Sequence, residues 1–184
     1  VFDIQDKIAA SQRDYHIHIA ISPIKNADRL EWFVEKAVEF GVDEITLIEC
    51  DHTEKTHVKS ERLMKLAISA MKQSLKLTLP TISGPMKLAR LVSNTTALSR
   101  YIAYVDPANS SHLIHVARPH SSYLILIGPE GDFSDEELAQ LEQLTFSEQY
   151  PDDGMTIEAI DGLMCALALA AARVDPSDFL PLIF

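Results

Sequence analysis

Residues 124–137 read LILIGPEGDFSDEE and hold the densest chemistry in the chain. A short apolar run stops at Gly-Pro-Glu-Gly, and an acidic helix start follows. Gly128 and Gly131 carry no side chain, so backbone there can approach a ligand closely. Pro129 fixes one φ angle and stiffens the loop. Backbone N–H and C=O groups held this way can read an adenine or ribose edge. Glu130 can accept hydrogen bonds or attract a positive centre; it can equally anchor the loop. No Gly-Lys-Ser follows, so this is not a Walker loop, and it does not fit G-x-G-x-x-G. Glu130, Asp132, Asp135 and Glu136 oppose a phosphate-rich ligand. A phosphate-free, positively charged ligand such as S-adenosylmethionine suits them better. The alternative is a tight strand-to-helix turn that binds nothing.

Other chemistries find less support. Cys50 and Cys165 lie far apart among apolar residues, which suits buried free thiols in a reducing cytoplasm. His16 and His18 share a strand face, His52 and His57 sit in one loop, and His112, His115 and His120 are scattered. None shows a ligand spacing with partners, so no metal is expected. No Ser-His-Asp or Cys-His set can be placed. No apolar run nears the roughly 18 residues that cross a membrane, and GLMCALALAAA (162–172) suits a packed helix.

Charge divides the chain. Residues 1–92 hold 13 Lys/Arg and 13 Asp/Glu, while residues 93–184 hold 3 Arg and 14 Asp/Glu. A polyanion partner should therefore meet the first half; the other reading is an acidic second half that only aids solubility. On a helix predicted over 60–76, Arg62, Lys65, Lys72 and Lys76 fall within about 80° of arc. Lys55 and Lys59 approach it. This stripe suits phosphate contact or is an ordinary solvated face. Lys25, Arg29 and Lys36 extend the basic set, though Glu31 and Glu35 can pair with such residues along a helix. Trp32 reads as core rather than as a base-stacking platform.

The elements that must position these groups follow from periodicity. HIHIAIS (16–22) reads as a strand, and 28–40 as a helix with apolar Leu30, Phe33, Val34, Ala37 and Val38. Gly41 suits its C-terminal stop. EITLIEC (44–50) is a strand, TLPTI (78–82) is extended, and PMKLARLV (85–92) is a short helix. YIAYV (101–105) and YLILI (123–127) are strands. Ser134 opens a helix, with Glu137 completing a Ser-x-x-Glu capping box. The alternation predicts α/β with a mostly parallel sheet and helices on both faces. Residues 1–15 stand outside this rhythm and read as the tail of another unit.

IGPEGDFSDEE closely resembles the I-G-P-E-G-G-F-S-x-x-E signature of the bacterial 16S ribosomal RNA uridine N3-methyltransferases, the RsmE-type branch of the SPOUT superfamily. Asp132 stands where that pattern often has a glycine. HIHIAISPIKNADRLEWFVEKAVEFGVDEITLI (16–48) resembles the family's first strand, helix and second strand, and its E-K-A-x-E-x-G element appears at Glu35, Lys36, Ala37, Glu39 and Gly41. SERLMKLAISAMKQSLKLTLPTI (60–82) resembles the family's stretch ending in K-Q-S and a Pro-containing turn. The similarity spans roughly residues 16–147.

The resemblance implies an α/β SPOUT fold: a parallel sheet flanked by helices, with a C-terminal trefoil knot, in residues 16–184. Residues 1–15 would be the end of a truncated PUA-like RNA-binding domain. It also implies a cytoplasmic homodimer that uses S-adenosylmethionine to methylate uridine N3 in 16S rRNA of the small ribosomal subunit. Cofactor contacts would come from Ile127, Gly128, Pro129, Glu130 and Gly131, with Val105, Asp106 and Pro107 as a second wall. RNA contacts would come from Lys25, Arg29, Lys59, Arg62, Lys65, Lys72 and Lys76. The proton acceptor stays unassigned: Glu130 is a candidate, and anchoring the loop is its other reading. The family's L-G-x-x-x-L-R-x-E-T-A segment has no counterpart in YPDDGMTIEAIDGLMCALALAAARV (150–174), and residues 148–184 are atypical. That departure keeps a second reading open, a catalytically inactive SPOUT-like binding or dimerisation module.

Overall fold

The computed structural model describes residues 13–97, 99–103, 117 and 119–145. Among these residues five strands form one all-parallel sheet: β1 (His16–Ile21), β2 (Glu44–Glu49), β3 (Thr81–Lys87), β4 (Ser99–Ala103) and β5 (Ser122–Ile127). Their spatial order is β3-β2-β1-β5-β4. Among the described residues four helices accompany them: α1 (Ala27–Phe40), α2 (Ser60–Gln73), α3 (Leu88–Asn94) and α4 (Asp135–Thr145). Both the expected parallel sheet and the helix on each face are present. The expected trefoil knot, the segment 148–184 and nearly all of the 1–15 tail lie outside the described residues, as do Val105, Asp106, Pro107 and Cys165.

The sheet separates two apolar clusters. On one face Ile17, Ile19, Ile21, Ile45 and Leu47 meet Leu30, Val34, Ala37 and Val38 of α1 and Leu63, Ala67 and Ala70 of α2. On the other, Ala20, Ile48, Leu124 and Leu126 meet Leu88 and Leu91 of α3, Phe133, and Leu141 of α4. Strand residues alternate between these clusters because successive side chains point to opposite faces. Each fully buried large side chain contributes about 1.5–3 kcal/mol. Asn26 caps α1 by accepting from the Asp28 N–H at 2.9 Å. Gly41 ends it at φ 86°, donating to the Ala37 and Val38 carbonyls.

Trp32 corrects the sequence reading: it is 61% exposed. The buried stripe of α1 is Leu30, Val34, Ala37 and Val38, and Trp32 lies off that stripe. The helix expected over 60–76 stops at Gln73. Leu75 then takes φ 55° and Lys76 donates back to the Met71 carbonyl, so Lys76 is not a helical residue. The helix expected over 85–92 is also revised, because Pro85 to Lys87 belong to β3. At Gly84, φ is 95°, and a β-carbon would stand 2.3 Å from the Leu47 carbonyl oxygen. That close approach lets β3 continue along β2 with a register shift between Thr46 and Ile48. Pro85 is tolerated because β3 is an edge strand.

Chain direction locates the point where a ligand belongs. From β1 the chain builds outward through β2 and β3, then crosses to β4 and returns through β5 to lie against β1. The order reverses between β1 and β5. In open α/β sheets ligands bind beyond the carboxyl ends of strands at such a switch point. The loop after β5 is Gly128-Pro129-Glu130-Gly131.

Candidate functional site

Three loops leave the carboxyl edge of β1, β2 and β5 and are tied together there. The β5 loop is a turn in which the Asp132 N–H donates to the Pro129 carbonyl at 2.9 Å. The Gly128 and Gly131 φ angles are not in the left-handed region, which Asp132 occupies at 62°. The two glycines serve space instead. A β-carbon on Gly128 would stand 3.0 Å from the Phe133 ring, and one on Gly131 would stand 3.2 Å from the His52 β-carbon. Bare backbone here admits the protein's own side chains. Asp132 stabilises its unusual φ by accepting from the Phe133 N–H at 2.9 Å.

Glu130 is committed to the loop: its Oε1 accepts from the Lys25 N–H of the β1 loop at 2.8 Å. Lys25 then reaches from that loop to the β2 loop, with its Nζ 2.6 Å from Glu54 Oε2. That pairing raises the Lys25 pKa, chiefly through the Glu54 hydrogen bond. Ser22 at the end of β1 bonds Thr53 at 2.7 Å, and the Thr53 hydroxyl accepts from the Cys50 N–H at 2.8 Å. Cys50 is a buried free thiol, as expected, and burial pushes its pKa up to about 12, with the Glu137 charge adding to the effect.

The expected capping box forms and does more than cap. The Glu137 N–H donates to Ser134 Oγ at 3.2 Å, and the Ser134 N–H donates to Glu137 Oε2 at 3.0 Å. The other Glu137 oxygen accepts from the Asp51 N–H at 3.0 Å, and Ser134 Oγ donates to Asp51 Oδ2 at 2.7 Å. Asp51, Ser134 and Glu137 thus form a closed ring that fixes the β2 loop against the start of α4. Glu137 is buried despite its charge, which these backbone donors compensate. Beside the ring, His52 Nδ1 stands 3.0 Å from both the Gly131 and Asp132 carbonyl oxygens.

These loops enclose an open cleft of about 400 Å³ lined by Asp51, His52, Thr53, Glu54, Glu130 and Gly131. Its walls carry three carboxylates, of which Glu54 is paired with Lys25. Its charge suits a cationic, phosphate-free ligand and opposes a phosphate-rich one. Glu130 and Gly131 of the expected cofactor set line it; Gly128 and Pro129 precede them in the same loop, and Ile127 ends β5. Among the described residues no group of three His, Cys, Asp or Glu could hold a metal ion, and no helix is long and apolar enough to cross a membrane.

The basic residues divide. Arg29, Lys59, Arg62, Lys65 and Lys72 are exposed on or beside α1 and α2, which share one sheet face. Arg62 is paired with Glu31 at 2.6 Å and Lys36 with Glu35 and Glu39, so part of the stripe is neutralised within the chain. Lys25 sits apart at the cleft, and half-buried Lys76 lies close to Gly41. The sequence reading missed Asp51, His52 and Glu54. Its available signal was position: CDHTE directly follows a strand that ends on the same edge as GPEG.

Compared with known proteins, residues 11–149 match a family model described as an RNA methyltransferase domain. A solved structure of a probable rRNA-methyltransferase from Porphyromonas gingivalis is 35% identical, covers 91% of this chain and 73% of its own, and superposes with a TM-score of 0.74. A ribosomal RNA small subunit methyltransferase E from Neisseria gonorrhoeae, solved bound to S-adenosyl methionine, superposes with a TM-score of 0.69 at 18% identity over 88% of this chain and 68% of its own, a likeness of fold. The Buchnera aphidicola protein named ribosomal RNA small subunit methyltransferase E is 28% identical over 132 residues, 68% of this chain and 51% of the relative. The chain spans about half to two thirds of the length of the curated relatives it matches.

Proposed function

Because this chain belongs to the RNA methyltransferase family, we propose that it methylates uridine N3 in 16S rRNA of the small ribosomal subunit, with S-adenosylmethionine as methyl donor. The observation that carries this reading is the carboxylate-lined cleft at the β1/β5 switch point, bounded by the GPEG loop. The cofactor would be held by Ile127, Gly128, Pro129, Glu130 and Gly131, with Val105, Asp106 and Pro107 as a second wall. When bound, it supplies a methyl group already activated on a positively charged sulfur.

This chain's own residues then have three tasks. The first is to hold the loop: the Asp51–Ser134–Glu137 ring and the Glu130 bond to Lys25 fix its geometry before anything binds. Such preorganisation can supply much of the rate gain of a transfer between two bound partners. The second is to receive a target base turned out of its stack, since N3 is otherwise buried in pairing. The third is to take the N3 proton, because the protonated imide is a poor nucleophile. RNA phosphates would meet Lys25, Arg29, Lys59, Arg62, Lys65, Lys72 and Lys76. The family resemblance supports a cytoplasmic homodimer with a C-terminal knot and a PUA-like domain ahead of residue 16.

Calorimetric titration with S-adenosylhomocysteine tests the reading, with Gly128→Val as control. The expected result is binding by the native chain and its loss in the variant, whose valine collides with Phe133. Absence of binding by a folded native chain would favour an inactive binding or dimerisation module.

A further inference from the structure

We propose that His52 is the catalytic proton acceptor, a role that rests on the uridine N3 reading above. Its Nδ1 faces two carbonyl oxygens, those of Gly131 and Asp132, each at 3.0 Å. A carbonyl oxygen only accepts, so Nδ1 carries a proton. A neutral imidazole has one N–H, and the other nitrogen is then a lone-pair acceptor. That nitrogen is Nε2, which has no hydrogen bond among the described residues. His52 is exposed and lines the cleft. The GPEG loop therefore sets the tautomer of the base it lies beside. The bare Gly131 backbone leaves room for this approach, since a β-carbon there would crowd the His52 β-carbon at 3.2 Å.

The neighbouring acids are less suited. Glu130 Oε1 is held by the Lys25 N–H, Asp51 Oδ2 by Ser134, and both oxygens of Glu137 by backbone donors. Carboxylates are also weaker bases than imidazole by about two pKa units in general. An imidazolium formed at His52 shares the cleft walls with the carboxylates of Asp51, Glu54 and Glu130. Lys25, which reaches the cleft wall, is paired there with Glu54. In the step itself the N3–H bond breaks and the Nε2–H bond forms. The electron pair stays on N3 as the nucleophile, and the proton passes from the imidazolium to water.

His52→Asn is the discriminating variant, because its amide N–H can still reach the two carbonyls while Nε2 is gone. Two measurements on the full chain decide the matter. Nitrogen-15 NMR of the histidines, with the His52 signals identified by their absence from the variant, should show a protonated Nδ1 and an unprotonated Nε2 at mildly alkaline pH. N3 methylation of a uridine-containing 16S rRNA fragment should fall about 100-fold or more in kcat in the variant near neutrality, with S-adenosylhomocysteine affinity retained. The deficit should shrink as pH rises and hydroxide removes the N3 proton. An Nε2–H tautomer, or a variant with the native pH–rate profile, overturns the role. A native chain that binds S-adenosylhomocysteine but methylates another atom overturns the uridine N3 reading itself, and the His52 role falls with it.

Discussion

At the scale of single residues, the GPEG loop is shaped by what presses on it from inside the protein. Asp132 stands at φ 62°, a conformation costly for most side chains and free for glycine. Aspartate tolerates it through its bond to the Phe133 N–H. Asp132→Gly is therefore expected to change unfolding free energy by no more than about 1 kcal/mol, whereas Asp132→Val, β-branched and without that bond, should lose about 2 kcal/mol. Urea unfolding of both variants checks the contrast, and equal losses would refute the conformational account. Glu137 makes a sharper case, since both its oxygens accept from backbone N–H groups in a buried site. Glu137→Gln turns an amide N–H toward one of those donors, and should destabilise by about 1–3 kcal/mol. A variant with native stability would mean that the ring is incidental.

Among elements, β3 and the start of α4 are where local and tertiary preferences meet. Gly84 lies against the Leu47 backbone at positive φ. Gly84→Ala should cost at least about 2 kcal/mol, combining left-handed strain with a clash against a strand that cannot easily move. Thermal melts that show no loss would mean that β3 can detach without consequence. Ser134 caps α4 and also holds Asp51 of the β2 loop. Ser134→Ala should exceed the ordinary cap loss of about 1 kcal/mol, because a second element is released. A double-mutant cycle with Asp51→Asn reads that excess as a coupling energy.

For the whole molecule, the pH dependence of stability has a named contributor. His18 of β1 bonds Thr46 Oγ1 of β2 through Nε2 at 2.8 Å, and its pKa is lowered from 6.5, first through burial, opposed by the Glu44 charge and aided by His16. The unfolded chain thus takes up this proton at a higher pH than the folded one. The stabilisation is fully present above the unfolded value near 6.5, and is lost as pH falls through and below it toward the folded pKa. Between about pH 7.5 and 5.5 the native protein should lose more stability than His18→Asn. Parallel losses in the two would assign the acid sensitivity elsewhere.

The sequence by itself determined much of this architecture. Strand and helix alternation, the Gly41 stop of α1, the Ser134–Glu137 box and the family signature are all local or periodic, so one dimension carries them. The tertiary structure decided what depends on strands distant in sequence. Pairing with β2 turned an apparent helix start at Pro85 into an edge strand, because ladder hydrogen bonds outweigh local propensity. Trp32 lies outside because the stripe that α1 buries is fixed by the sheet beneath it. Of the cleft, the sequence showed the Glu130–Gly131 wall and not the wall that faces it. Its walls come from residues 51–54 and 130–131, brought together only because β5 inserts beside β1 at the point where strand order reverses.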